Sequence, residues 1–337
     1  MSESQSKVWI CWENHRRSRE LAKGLDAEFC LFSLNASRFI RYPYLIFRTV
    51  FFVLNKNPDI VFCQNPSIVL TFFLSLMRKI MRFRLVVDRH SNFKMEYSRS
   101  NNIKWQIFHW LSRYTVKASD LTIVTNGFLK ELVERLGGEA FILEDKVPDM
   151  FLASTQNPPY FMDYDTPYFH VMVVSTFSSD EPISQIIEAS RELPSDFRVY
   201  LTGNYRKKFS VLDVEKLKES GIILTGFISE EEYQALMHYS DVIVILTLKN
   251  DILNCGSYEA VALERPMILS DTKIIRNYFR SGCLYTRPTK DDIYKNILLS
   301  KEVNNELKSD LVEYKPYLVE SWSKKFDRLK YKIGCLD

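Results

Sequence analysis

Short, uninterrupted apolar runs alternate along the chain with longer stretches in which apolar residues return every three or four positions. This is the pattern of buried strands separated by amphipathic helices. Runs at residues 8–12 (VWICW), 59–63 (DIVFC), 84–93 (RLVVDRHSNF), 120–125 (DLTIVT) and 140–144 (AFILE) read as strands, with helical segments from about Arg17, at 105–117 and from Gly127. Pro148, Pro158, Pro159 and Pro167 then interrupt the periodicity and mark a linker. Beyond it, strands are expected at 169–177, 197–204, 221–227, 241–248, 267–270 and 284–287, and an amphipathic run closes the chain. Strand and helix in alternation specify parallel α/β sheets. At 337 residues the chain exceeds what one core supports. The expected organisation is therefore an α/β domain over 1–147, a linker over 148–167, a second α/β domain over 168–317 and a last helix over about 318–337.

Two further apolar runs, residues 42–54 and 68–83, fall short of membrane spans. Arg48 interrupts the first, and the second has ten uncharged residues before Arg78, half of the roughly 20 that a spanning helix needs. Charge changes how they are read. Residues 1–150 carry 22 Lys and Arg against 15 Asp and Glu, an excess of seven bases, and the remainder carries an excess of four acids. Between Arg38 and Arg84 there are eight bases and one acid, Asp59. Apolar side chains interleaved with bases suit an anionic membrane surface; the other reading turns Phe and Leu to the core and leaves the bases solvated. Six cysteines lack C-x-x-C spacing and five histidines are scattered, so no metal site is signalled. The polar amino end, without the apolar segment of a secretory signal, suggests a reducing cytosol.

The most informative stretch is residues 251–271, DILNCGSYEAVALERPMILSD. A strand-like run precedes it, Gly256 and Ser257 open a helix-compatible run at 258–263 that Pro266 ends, and MILS begins another strand. In such a βαβ step the loop and helix start face the ligand. Gly256 admits close backbone approach, Ser257 can cap the helix while the first N–H groups point at a diphosphate, and Tyr258 belongs to the same donor-binding segment. Glu259, in the first turn on this reading, can accept both vicinal hydroxyls of a ribose. A plain helix cap satisfies the same pattern. In the first domain Asp88 and His90, two residues apart at a strand's end, can reach a cleft where one removes a proton from an acceptor hydroxyl. Alternatively, Asp88 anchors the loop that follows.

Residues 251–271 resemble the signature of the GT-B glycosyltransferases, especially family 4 and related bacterial polysaccharide transferases: an acid, a small-residue loop, a Glu eight positions on, then Ala-x-Ala-x-Gly-x-Pro and an apolar strand. Asp251 and Glu259 stand at that spacing, followed by Ala260, Ala262, Pro266 and MILS. Three positions depart from it: Asp251 replaces a Glu, Leu253-Asn254 an aromatic-Gly pair, and Glu264 a Gly. The last costs about 1 kcal/mol where the backbone needs positive φ.

This resemblance implies two Rossmann-like β/α/β domains facing a cleft, with the final helix crossing back to the first. It places Glu13 and His15 on the acceptor side and Phe227 and Ile228 at the nucleotide base. Asp88 or His90 would be the base of an inverting reaction, and Asp251 would lie near the transferred sugar of a retaining one. Ser178 falls in the phosphate loop, where Ser178, Ser179, Asp180 and Glu181 replace the family's Arg and Lys. Arg206 and Lys207, with Lys208 and Lys249, are the substitutes on hand, unless they form a solvated charge run. The implied activity is metal-independent, hexosyltransferase-type transfer from a nucleotide-sugar donor, with no cofactor. Its acceptor would be a glycan or polyprenyl-linked molecule of bacterial surface glycan biosynthesis, met by a cytoplasmic protein peripheral on the inner face of the cell membrane; no nucleic-acid partner is expected. Two alternatives stand beside it: a nucleotide-sugar epimerase of similar build, and a non-catalytic subunit, suggested by the missing phosphate-loop cations.

Overall fold

In the computed structural model, residues 5–65, 67–90, 94–150 and 157–336 are described, without the side chains of Glu96 and Lys207. The chain divides into one unit of Met1–Asp145 with Trp322–Asp337 and another of Lys146–Ser321. The first runs β1 (Lys7–Cys11), α1 (Arg16–Gly24), β2 (Glu28–Leu31), α2 (Arg38–Lys56), β3 (Ile60–Gln64), α3 (Ile68–Met81), β4 (Arg84–Asp88), α4 (Ile103–Ala118), β5 (Leu121–Val124), α5 (Gly127–Arg135) and β6 (Ala140–Ile142). The second runs β7 (Phe169–Val173), α6 (Ile183–Arg191), β8 (Phe197–Thr202), α7 (Val211–Glu219), β9 (Ile222–Gly226), α8 (Glu230–Tyr239), β10 (Val242–Ile245), α9 (Cys255–Ala262), β11 (Met267–Ser270), α10 (Lys273–Tyr278), β12 (Cys283–Thr286), α11 (Lys290–Glu302) and α12 (Asn304–Gly334).

Each unit holds a six-stranded sheet, ordered β2-β1-β3-β4-β5-β6 in the first and β12-β11-β10-β7-β8-β9 in the second. All the pairings are parallel. Helices cover both faces, so central strands such as β3 and β7 are buried at every residue and read as continuous apolar runs. Period-two alternation still sorts their side chains. Trp9 and Cys11 of β1 face α1 and the end of α12, while Val8 and Ile10 face α2 and α3. In the second unit Val171 and Val173 face α6 and α11, and Met172 faces α8, α9 and α12.

Three local differences from the sequence pattern stand out. β2, a four-residue edge strand with two exposed positions, carries too little apolar signal to be expected. Val147, expected at the end of the first domain, and Met162, from the Pro-rich stretch read as a linker, are buried in the second unit's core. The last helix is 31 residues long and begins at Asn304, with Pro316 inside it. Its early part packs Leu311 and Leu318 into the second unit, and Trp322, Phe326, Leu329 and Ile333 pack into the first. Trp322 Nε1 donates to the Glu144 carbonyl at 3.0 Å, and Lys325 pairs with the Glu144 carboxylate at 2.6 Å.

Candidate functional site

In open parallel sheets, ligands bind beyond the carboxyl ends of the strands where the strand order reverses. That point lies between β1 and β3 in the first unit and between β7 and β10 in the second. Read from β9, the second sheet has the 3-2-1-4-5-6 order of dinucleotide-binding folds. The loops of both switch points contain residues singled out from the sequence.

In the first unit Glu13 and His15 follow β1, while Asp88 ends β4 and His90 lies two residues on. His15 Nε2 is 3.5 Å from Glu13 Oε2, and the His15 and His90 rings meet edge to face at 6.1 Å. The four residues therefore gather at one end of the sheet. Asp88 itself is fully buried. Arg17 of α1 donates from Nε to both its carboxylate oxygens at 3.0 and 3.1 Å. Through Nη1 and Nη2 Arg17 also reaches Asp145 Oδ1 at 2.8 Å and the carbonyls of Glu144 and Leu143 at 3.0 and 2.9 Å. Burial by itself would push the Asp88 carboxyl up; the Arg17 guanidinium, helped by His90, reverses this and holds it below the ordinary carboxylate range. A carboxylate so enclosed and so acidic is a poor proton acceptor, which disfavours Asp88 as a base; the partners of its carboxylate are the Arg17 and His90 side chains rather than the backbone of the loop that follows. His90, 3.7 Å from Asp88 through Nδ1 with its side chain 30% exposed, is the group within reach of a ligand. Arg17 was not foreseen, because nothing in the run RRSR marks which base turns inward.

On the same unit, α2 carries no acid and directs Leu45, Thr49 and Val53 inward. Phe39, Ile40, Phe47, Phe51 and Leu54 face outward, with Phe39 91% exposed. A cavity of about 580 Å³ opens beside them, lined by Phe32, Phe47, Arg48, Phe51, Phe52 and Lys56. The alternative reading, which turns the rings of this run to the core, does not hold for Phe47 and Phe51, although Phe52 packs on the core. Among the described residues no helix is long and apolar enough to cross a membrane.

The loop after β7, residues 174–182, accounts for the acids that replace the expected cations. Glu181 accepts from the backbone N–H of Thr176 at 3.0 and 3.1 Å, from that of Ser178 at 3.2 Å, and from the Thr176 hydroxyl at 2.8 Å. Asp180 takes the Ser178 hydroxyl, pairs with Lys249 at 3.1 Å, and accepts the Leu248 N–H on its carbonyl at 2.7 Å. The loops after β7 and β10 are thereby stapled together. Ser178, expected as a donor contact, spends both its amide and its hydroxyl within the loop. Lys249 is neutralised, and the Lys207 side chain lies outside the described residues. Arg206 and Lys208 remain: both are exposed just beyond β8, where the Arg206 N–H donates to Asn204 Oδ1 at 3.3 Å.

Helix α9 begins at Cys255, three residues before the expected start, with Asn254 at its N-cap. Ser257 is therefore inside the helix and buried, its N–H on the Asn254 carbonyl at 3.1 Å, and it caps nothing. Gly256 serves close packing, since a Cβ there would lie 3.0 Å from Val174 Cγ1. Tyr258 is fully buried against Tyr278 and Phe279; it is a core residue, out of reach of a donor. Glu259 is the fifth helical residue, past the first turn, where the helix dipole helps little. Its carboxylate instead accepts the Tyr233 hydroxyl of α8 at 2.9 Å. Burial first, and then the Glu259 charge, hold the Tyr233 phenol well above its ordinary range. Asp251 is half-buried in the loop before α9. Phe227 is 84% exposed, and Ile228 packs on the core just before the α8 capping box of Ser229 and Glu232. Glu264, in place of the usual Gly, does take positive φ (54°) and pairs with Lys315 at 2.8 Å.

Residues 7–141 match the sequence model of Glycosyltransferase Family 4. A search of curated proteins gives no match. Among solved structures the chain is similar to sucrose-phosphate synthase from Thermosynechococcus elongatus, with TM-score 0.76, 13% identity and 99% of each chain covered. It is similar also to Anabaena HepE in complex with UDP, with TM-score 0.69, 13% identity and 98% of each chain covered. A third likeness is the E. coli trehalose-6-phosphate structure bound with UDP-2-fluoro glucose: TM-score 0.71, 11% identity, 98% of this chain and 99% of that one. Throughout its length the chain has the fold of the GT-B glycosyltransferases, and its first unit is similar to family 4.

Proposed function

We propose that the protein is a glycosyltransferase that moves a hexosyl group from a nucleotide-sugar donor, held by the second unit, to an acceptor met by the first. The observation that carries this reading is the Tyr233–Glu259 pair beside the β7/β10 switch point. It fixes a carboxylate one turn into the short helix where the family signature puts its ribose-binding Glu, and a carboxylate has lone pairs to spare for two further hydroxyls. UDP and UDP-glucose on HepE, and UDP-2-fluoro glucose on the E. coli protein, make a UDP-sugar the first donor to try. Phe227 would stack on the base, with Ile228 beside it, and Arg206 would face the diphosphate. Asp251 would lie near the transferred sugar. On the acceptor side His90, oriented by Asp88, would take the hydroxyl proton, with Glu13 and His15 contacting the acceptor; no metal enters the scheme.

The acid-free, outward-facing apolar helix α2, with Arg38, Arg41, Arg48 and Lys56 along it, supports a lipid-linked acceptor met on an anionic bilayer at the cytoplasmic face. Each base near such a surface adds about 1 kcal/mol. Vesicle co-sedimentation tests this part: Phe39→Glu with Phe47→Glu should abolish binding to vesicles containing phosphatidylglycerol, and retained binding would rule it out. Thermal-shift screening of nucleotides tests the donor part, because a ligand that binds only the folded chain stabilises it. Glu259→Ala should erase the shift given by the true nucleoside diphosphate; an undiminished shift refutes the assignment. A second reading, a nucleotide-independent subunit, is favoured by the Glu181 carboxylate on the loop amides, and calorimetry showing no binding of UDP, GDP or ADP would select it.

A further inference from the structure

Helix α8 begins immediately after the Phe227–Ile228 pair, and its N-cap Ser229 and Glu232 form a reciprocal box that ties the helix start to that loop. Tyr233, the next residue, crosses from α8 to α9 and donates its hydroxyl to Glu259 Oε2 at 2.9 Å. Its ring packs against the core face that holds Met172, Tyr258 and Val261, so the phenol cannot swing away without opening a gap. With its proton held through the whole physiological range, it is a permanent donor. The carboxylate of Glu259 thus has one oxygen pinned from the protein side, by a residue whose own helix carries the loop assigned to the base.

We infer that Tyr233 is a positioning residue for nucleotide recognition: it sets the orientation of the Glu259 carboxylate and couples it to the Phe227–Ile228 loop, so that ribose and base are read in fixed register. This rests on the ribose role proposed for Glu259. An unpinned carboxylate would have to lose rotamer freedom on binding, which weakens affinity without any contact of Tyr233 with the ligand.

The test compares UDP, GDP and ADP with their 2′,3′-dideoxy forms by calorimetry on the full chain, in wild type, Tyr233→Phe and Glu259→Ala. Tyr233→Phe keeps the ring and its packing, and its urea midpoint checks that the fold is kept. For the nucleotide that binds, Glu259→Ala should bring the ratio of dideoxy to native dissociation constants to about one. Tyr233→Phe should weaken the native nucleotide roughly fivefold, the size expected for one hydrogen bond, and the dideoxy form hardly at all, so the ratio falls. A residue important only for folding would weaken both forms alike. If Tyr233→Phe leaves the wild-type ratio intact while Glu259→Ala collapses it, the inference is wrong and the ribose reading survives. If wild type shows no preference, or binds none of the three, the ribose reading fails and this inference falls with it.

Discussion

Replacing Arg17 by Met removes the cation that Asp88 and Asp145 share and keeps most of the side-chain volume. The guanidinium contacts both Asp88 oxygens, Asp145 and two carbonyls at 2.8–3.1 Å. Asp88 has no access to water that could replace it. Breaking such a pair from one side strands a buried charge and costs about 3–5 kcal/mol, a large share of the roughly 5–15 kcal/mol by which a folded domain is stable. The sign with pH follows from the direction of the shift. In the wild type the Asp88 carboxyl is held below its unfolded value, so its contribution is complete above about pH 4 and is lost as pH falls through the native value. In Arg17→Met, burial, the largest influence on Asp88, is opposed by His90 without Arg17 and should lift the carboxyl above its unfolded value, so the folded variant gains stability as pH falls through that raised value. The gap between the two proteins should therefore be widest near pH 7 and should narrow towards pH 4.5. Urea denaturation at both pH values measures it. Arg17→Met with Asp88→Asn should recover most of the loss, because the fully enclosed carboxylate is then gone and Asp145, the other acid paired with Arg17, keeps 15% of its side chain exposed. A gap below about 1 kcal/mol at pH 7, or one that acid does not narrow, would refute the reasoning.

Three further outcomes are expected. His90→Asn should lower turnover by about 10²–10⁴-fold, the usual worth of a general base, and leave donor affinity unchanged; full activity in single-turnover assays would exclude His90. Glu181→Gln removes the charge that occupies the Thr176 and Ser178 amides, so UDP and inorganic pyrophosphate should bind several-fold tighter by calorimetry, as charged hydrogen bonds are worth about 1.5–3 kcal/mol; unchanged or weaker binding refutes this. Gly203 has φ of +99° and a Cβ there would lie 2.3 Å from the Ser175 carbonyl oxygen, so Gly203→Ala should cost more than about 1 kcal/mol in urea titration; an unmoved midpoint would contradict the backbone geometry.

Fold class was legible in the chain because both of its sheets are parallel and covered on each face. Their strands must then be short apolar runs, and each return must be a helix, so composition and period leave few other architectures open. The candidate residues could be placed at strand ends for the same reason: Glu13, His15, Asp88 and His90 each stand just after an apolar run, and the topology gathers such positions. Even the conformational demand at Glu264 could be read from its place in the signature, and the backbone there is left-handed.

Partnership was a different matter, since it depends on which side chains meet across helices far apart in sequence. Arg17 and Asp88 are 71 residues apart, Tyr233 and Glu259 26 apart, and no periodicity records either pairing. The start of α9 was misplaced because Gly256 and Ser257 have weak helical preference, whereas the close contact with Val174 makes a helix there the better-packed choice. Periodicity therefore determined where most of the strands and helices fall, though not β2 or the starts of α9 and α12. Only packing in three dimensions decided which charges are enclosed, which carboxylate is pinned, and which apolar face is left to the solvent.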